Sequence, residues 1–261
     1  MKKPKLSDLL LSMLFVSILF SGMFSGPVAH AQQGPRLGGT FVIAREQAEP
    51  AALAPWIRGL QGIGVSSNIL NGLVAYDAAY NPIPDLAQSW DISSDKLTWT
   101  FHLVKNATWH DGVPFTSADV AYTYNVLILL DPQGRTFFSK DDLDGVTAPD
   151  NYTAVFKWKH PFLMPLMEMN TWVAAIAPKH LYESTCPVAP CDPDAYRKLE
   201  LNNKPIGTGP FKFQEWVRGD HITLVKNPNY FKKGLPYLDK IVFRSITEQA
   251  TLISAMKLGE V

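Results

Sequence analysis

A mixed α/β (α+β) fold of short strands and few helices follows from three observations. Apolar and polar residues alternate with a period of two in several short runs. Helical spacing is confined to a few segments. The 20 prolines and 17 glycines among 261 residues punctuate the chain into a loop-rich whole.

The elements follow in order. Lys2, Lys3 and Lys5 precede an apolar run from Leu9 to Phe20, and Ala29 and Ala31 form an A-x-A site before Gln32. That layout predicts a secretory signal peptide over 1–31, cleaved after Ala31. The run is shorter than the roughly 20 residues a bilayer span needs. No cysteine lies near the cleavage site, so lipid attachment there is excluded. The expectation is a soluble exported, periplasmic protein that begins near Gln32.

"TFVIA" (40–44) is β-branched and aromatic and reads as a strand. Ser66 to Leu73 reads as a helix, with Ile69, Leu70 and Leu73 on one side. "LTWTFHLV" sets Leu97, Trp99, Phe101 and Leu103 against Thr98, Thr100 and His102. "YTAVFKWK" sets Tyr152, Ala154, Phe156 and Trp158 against Thr153, Val155, Lys157 and Lys159, after a turn at Pro149-Asp150-Asn151. Both are half-buried strands. Further strands are expected at Phe211–Val217, His221–Val225 and Lys240–Ile246, the first two joined through Gly219. Thr247 opens a last helix carrying Leu252, Ile253 and Met256, which Gly259 stops.

The densest chemistry lies in "TWHDGVPFTSADV" (108–120). Lys105-Asn106 and Asp111-Gly112 are turn sites. Thr116 with Asp119 three residues on reads as a capping box, and Val120, Tyr124, Leu127 and Ile128 supply an apolar face until Asp131-Pro132 ends the helix. Only His110 lacks a structural role by this reading. Acid/base or metal chemistry at His110 and Asp111 would need partners from elsewhere, and no H-x-x-x-H, H-E-x-x-H, G-x-S-x-G or phosphate-loop pattern occurs.

Cys186 and Cys191 in "TCPVAPCDP" are the only cysteines. In an oxidising compartment a proline-rich loop of this size suits a disulfide, and the chain-entropy model assigns so short a loop only about 2 kcal/mol. Of the 24 basic and 24 acidic side chains, three lysines and Asp8 fall within 1–31, which leaves a formal charge of −2. No basic stripe marks nucleic acid as a partner.

The run 85–125 resembles the signature of the extracellular solute-binding proteins of peptide and nickel ABC importers, the oligopeptide- and dipeptide-binding type. It holds "AQSW" (87–90), "LTWTFHL" (97–103), "WHDG" (109–112) and "TSADV" (116–120). "NILNGLVAYD" (68–77), "IAPKHLYE" (176–183), "PIGTGPFKFQEW" (205–216) and "NPNYFKKGLPYLDKIVF" (227–243) extend it in the family's order.

The resemblance implies a type II periplasmic-binding-protein-like lobe: first part 32–72, an inserted extra domain at 73–204, and a second part at 205–261. It also implies that the second lobe is missing and that the chain stops within lobe one, with apolar surface left open. It implies a peptide or other small solute as ligand and ABC permease subunits as partners. No enzymatic activity and no cofactor follow from it, and the complete protein is expected to be a monomer. Ligand candidates from lobe one are Arg45, Glu46, Gln47 and Glu49, which follow the first strand, with Asn170 and Trp172. Each also has a plain reading: a solvated charged loop for the first group, core filling for Trp172, and a tight turn for Gly207 and Gly209. A secreted hydrolase or metalloprotein, and a fragment unable to bind, are the alternatives.

Overall fold

The computed structural model describes residues 34–46, 49–54, 60–128, 139–162, 165–187, 192, 195 and 198–261. The expected signal peptide, Gln47, Cys191 and the Asp131-Pro132 helix end lie outside the described residues.

In chain order the strands are β1 (Thr40–Arg45), β2 (Val74–Tyr76), β3 (Pro82–Pro84), β4 (Ala87–Ile92), β5 (Thr98–Leu103), β6 (Leu143–Asp150), β7 (Thr153–Trp158), β8 (Phe211–Val217), β9 (His221–Lys226) and β10 (Lys240–Ser245). Helices are α1 (Leu60–Ser66), α2 (Ser117–Tyr122), α3 (Pro165–Glu168), α4 (Thr171–Ala174), α5 (Lys179–Tyr182) and α6 (Gln249–Leu258). A π-helical stretch, Thr123–Ile128, continues α2.

One sheet has the order β1-β10-β9-β8, with β1 parallel to β10 and the other pairs antiparallel. A second, fully antiparallel sheet has the order β4-β5-β7-β6. The strands β2 and β3 form a hairpin of their own. The first sheet draws on residues from both ends of the described chain, and the second only on 87–158.

Strict alternation explains the second sheet. Trp99, Phe101 and Leu103 of β5 and Ala154, Phe156 and Trp158 of β7 are buried, whereas Thr98, Thr100 and His102 are not. Tyr124 sets its ring 4.7 Å from Phe156 at 80°, and Phe101 meets Phe156 at 5.2 Å and 70°. These are edge-to-face contacts that align ring quadrupoles favourably. The first sheet buries Ile222, Leu224, Ile241 and Phe243 against Leu53, Val65, Ile69 and Leu70.

Two expectations are corrected, and one strand lies outside the sequence reading. The helix expected over 66–73 is over by Ser66; Ile69, Leu70 and Leu73 are buried, but on irregular chain. Asn68 O accepts from Phe211 N–H (3.0 Å) and Ile69 O from Gly209 N–H (2.8 Å), so tertiary bonds take the carbonyls that a continuing helical ladder would use. Strand β6 carries Gly145, Pro149 and two register shifts, which hide it from a period-two reading. In α6 the cap is Glu248, not Thr247: its carboxylate accepts from Ala250 N–H (3.0 Å) and Thr251 N–H (2.6 Å). Gly259 ends that helix at φ +72°, as its position predicts. The small Ala255 is the helix residue that is buried, and Ile253, Met256 and Leu258 face outward.

Candidate functional site

The histidine- and aspartate-rich corner is an internal strap. Gly112, at φ +94°, closes a tight turn in which its N–H donates to Trp109 O (2.8 Å). The Trp109 ring is buried edge-to-face on Phe115 at 6.2 Å. His110 then reaches the segment that enters the first sheet. Its N–H donates to Gly207 O (2.8 Å), Nδ1 accepts from Gly207 N–H (3.2 Å), and Nε2 lies 3.0 Å from Gly209 O.

Because Nδ1 accepts, Nε2 must carry the proton, and the imidazole is neutral in one tautomer. Burial, with Lys212 nearby, pushes its pKa down to about 4, against the pull of the Gly209 carbonyl and Asp111. Asp111 pairs with His180 Nε2 at 2.8 Å. Asp119 Oδ2 accepts from Thr116 N–H (2.9 Å), and its Oδ1 accepts from Lys179 N–H (3.0 Å), so one carboxylate serves the starts of α2 and α5. Burial raises the Asp119 pKa despite those bonds. The Trp109 indole N–H has no partner at good hydrogen-bond geometry, although it faces Asp119 closely enough to favour its charge.

Gly207 and Gly209 serve close approach, which corrects the tight-turn reading. A Cβ on Gly207 would lie 1.9 Å from Ile69 O, and one on Gly209 would lie 2.5 Å from the Ile69 carbonyl.

A different place has the shape of a binding site. A groove of about 680 Å³ opens between the β2–β3 hairpin and helix α4, lined by Tyr76, Tyr80, Met167, Asn170, Thr171 and Trp172 among others. The chain builds it by bringing 71–74 alongside 169–171. Leu73 N–H donates to Met169 O (2.9 Å), Gly72 N–H donates to Thr171 Oγ1 (2.9 Å), and Val74 bridges Asn170. Gly72 permits this contact, since a Cβ there would lie 2.5 Å from the Asn170 carbonyl carbon.

On the hairpin side, Asp77 Oδ1 accepts from the N–H groups of Ala79 and Asn81 (both 2.8 Å). The Asn81 side-chain amide and backbone N–H hold the Asp77 carboxyl below the usual carboxylate range. That turn fixes Tyr80 at φ +63°, with the residue 82% exposed. On the opposite side, Asn170 caps α4: its Oδ1 accepts from Trp172 N–H (2.8 Å) and its Nδ2 donates to Met167 O (2.7 Å). Trp172 is 61% exposed, which overturns the reading of it as core filling.

Of the remaining candidates, Arg45, Glu46 and Glu49 stand elsewhere and are not among the residues lining the groove. Arg45 ends β1 opposite Ser245, and burial lowers its pKa. Glu46 is exposed and Gln47 lies outside the described residues. Glu49 Oε1 accepts from Trp216 Nε1–H (2.8 Å) and Gly219 N–H (3.1 Å), so its carboxylate is engaged by the β8–β9 hairpin. Arg218 stacks on Trp216 at 3.4 Å and donates to Pro50 O (3.3 Å), which pins the same segment. Cys186 is buried and is not a free thiol, and Cys191 lies outside the described residues. Sequence reasoning missed Tyr76, Tyr80 and Met167; the available signal was Gly72, a residue without Cβ just before the apolar Leu73 and Val74.

Comparison with known proteins agrees with the motif order. Residues 81–261 match the family described as bacterial extracellular solute-binding proteins, family 5 Middle. A Brucella ovis protein with the provisional name of an ABC transporter peptide-binding protein is 36% identical over 191 residues, covering 72% of this chain and 34% of the relative. The oligopeptide-binding protein AppA of Bacillus subtilis is 26% identical over 270 residues, covering 100% of this chain and 48% of AppA. The AppA structure with a nonapeptide aligns with a TM-score of 0.74 at 27% identity, over 87% of this chain and 44% of that one. DppA of Helicobacter pylori, in complex with peptide STSA, gives 0.73 at 29% identity, over 87% and 46%. The chain thus spans about half the length of these relatives, or less.

Proposed function

The chain belongs to the bacterial extracellular solute-binding proteins of family 5, and on that premise we propose that it captures a peptide or similar small solute outside the inner membrane and delivers it to an ABC permease. The observation that carries this reading is the family match over residues 81–261 together with relatives named for peptide binding. Export through the 1–31 signal peptide, cleaved after Ala31 into the periplasm, belongs to the same proposal.

Residues 32–72 and 205–261 are read as two parts of one lobe, and 73–204 as an extra domain. Sheet membership supports this, since β1 and β8–β10 share one sheet and β4–β7 the other. Asn170 and Trp172 are proposed to meet the solute in the groove. Arg45, Glu46 and Gln47 would offer a second contact from the segment that Glu49 holds in place. Main-chain hydrogen bonds from an extended peptide would supply affinity without demanding one sequence. Cys186 and Cys191 are proposed to form a local bridge.

Native mass spectrometry of the exported full chain tests the function. The expected result is a co-purifying adduct of peptide size that is lost on denaturation and restored by added peptide. An unliganded mass at saturating concentrations of a mixed peptide pool would contradict it.

A further inference from the structure

We propose that the groove between the β2–β3 hairpin and α4 is a side-chain pocket selective for an uncharged aromatic or bulky aliphatic group of a peptide-like solute, gripped by Trp172 and Tyr80. The inference rests on the solute-binding reading above and adds to it what kind of solute this site accepts.

Charge is the first argument. Among the described residues, no Asp, Glu, Lys, Arg or His lines the groove. A charged solute group seated there would lose water without meeting an opposite charge, and burying an unpaired ion is strongly unfavourable. Two of the polar side chains are also engaged already, whereas the buried Tyr76 hydroxyl has no hydrogen-bond partner among the described residues. Asn170 uses its oxygen on Trp172 N–H and its amide on Met167 O, and Thr171 Oγ1 accepts from Gly72 N–H. What remains is mostly hydrocarbon and aromatic surface.

Exposure is the second argument. Tyr80 is 82%, Trp172 61% and Met167 51% exposed, three large apolar side chains around one depression. Flat rings hold an apolar partner at little loss of rotamer freedom, and a polarisable thioether adapts to its shape. The groove is also pre-formed. Tyr80 is fixed by the Asp77 turn at positive φ, and Trp172 sits in the first turn of a helix capped by Asn170. Its volume of about 680 Å³ falls within the range of small-molecule pockets and accommodates a large side chain with its backbone.

Calorimetric titration of the full chain with Ala-Xaa-Ala tripeptides tests this, with Xaa as Phe, Trp, Leu, Gly, Lys or Glu. The proposal expects Phe, Trp and Leu to bind at least about tenfold more tightly than Lys or Glu. Trp172→Ala should remove that advantage, weakening the Phe, Trp and Leu peptides far more than the Gly peptide, a graded pattern that general loss of folding would not produce. Tyr80→Asp keeps a residue tolerant of positive φ and should shift preference toward Lys. Equal affinity for all six peptides would overturn the pocket assignment while leaving solute capture intact. Binding of none of them would overturn both.

Discussion

The corner at 107–119 and the groove between residues 74–80 and 167–173 make opposite uses of their side chains. The corner concentrates histidine and aspartate, yet its titratable groups turn inward: His110 to two backbone positions, Asp111 to His180, Asp119 to two helix starts. Among the described residues the groove has no such group, and it leaves Tyr80, Trp172 and Met167 to solvent. A dense run of chemistry-bearing residues can therefore be scaffold, and a candidate site can be assembled from plain residues far apart in the chain. The informative quantity is which atoms remain without an internal partner.

Substitutions at the two close contacts give the strongest way to break this contrast. Gly207→Ala puts a methyl group 1.9 Å from Ile69 O in the corner and should destabilise by about 3 kcal/mol or more, read from urea unfolding. Gly72→Ala forces 71–74 away from 169–171 and should widen the groove, so that solute affinity falls along with stability.

The two tryptophans sharpen it next. Trp109→Ala removes a fully buried ring and should cost about 3–5 kcal/mol. Trp172→Ala removes an exposed one and should change stability by less than about 0.5 kcal/mol. Thermal unfolding of the pair checks both; similar losses would erase the distinction.

His110 carries the pH dependence. Its folded pKa of about 4 lies below the ordinary 6.5, so the native state binds fewer protons between those values. The stabilisation is present above about pH 6.5 and is lost as pH falls through 4, a swing on the order of 3 kcal/mol. Urea unfolding at pH 7 and pH 4.5 should show it in the wild type, and His110→Asn should flatten it.

Glu49 gives the smallest effect. Glu49→Ala leaves the Trp216 indole and Gly219 N–H without their shared acceptor, and at that exposed site about 1 kcal/mol is expected from guanidinium unfolding.

Much of the fold was legible because its strands are amphipathic. β5 and β7 present alternate residues to one core, and β8 to β10 are bounded by turns at Gly219 and by loops. Ser66–Leu73 misled because Ile69 and Leu70 have helical spacing, yet the regular helix ends at Ser66 and Ile69 gives its carbonyl to another segment. Ile69 O bonds to Gly209 N–H, an interaction that lies 140 residues along the chain and leaves no periodic trace. Asn170 and Trp172 were accessible through the resemblance to known binding proteins. Their partners Tyr76 and Tyr80 were not, because the hairpin is brought to α4 by contacts of 72–74 with 169–171, about 100 residues apart, which leave no local pattern. His110 was readable as scaffold by elimination, but its two backbone partners were not.

The most direct test measures solute affinity and unfolding free energy side by side in the full chain, in wild type, His110→Asn and Trp172→Ala. The account predicts a crossed pattern: His110→Asn lowers stability at pH 7 and leaves peptide affinity unchanged, while Trp172→Ala lowers affinity and leaves stability unchanged. Loss of peptide binding in His110→Asn with an unaltered unfolding curve would place the working site at the corner and contradict the account.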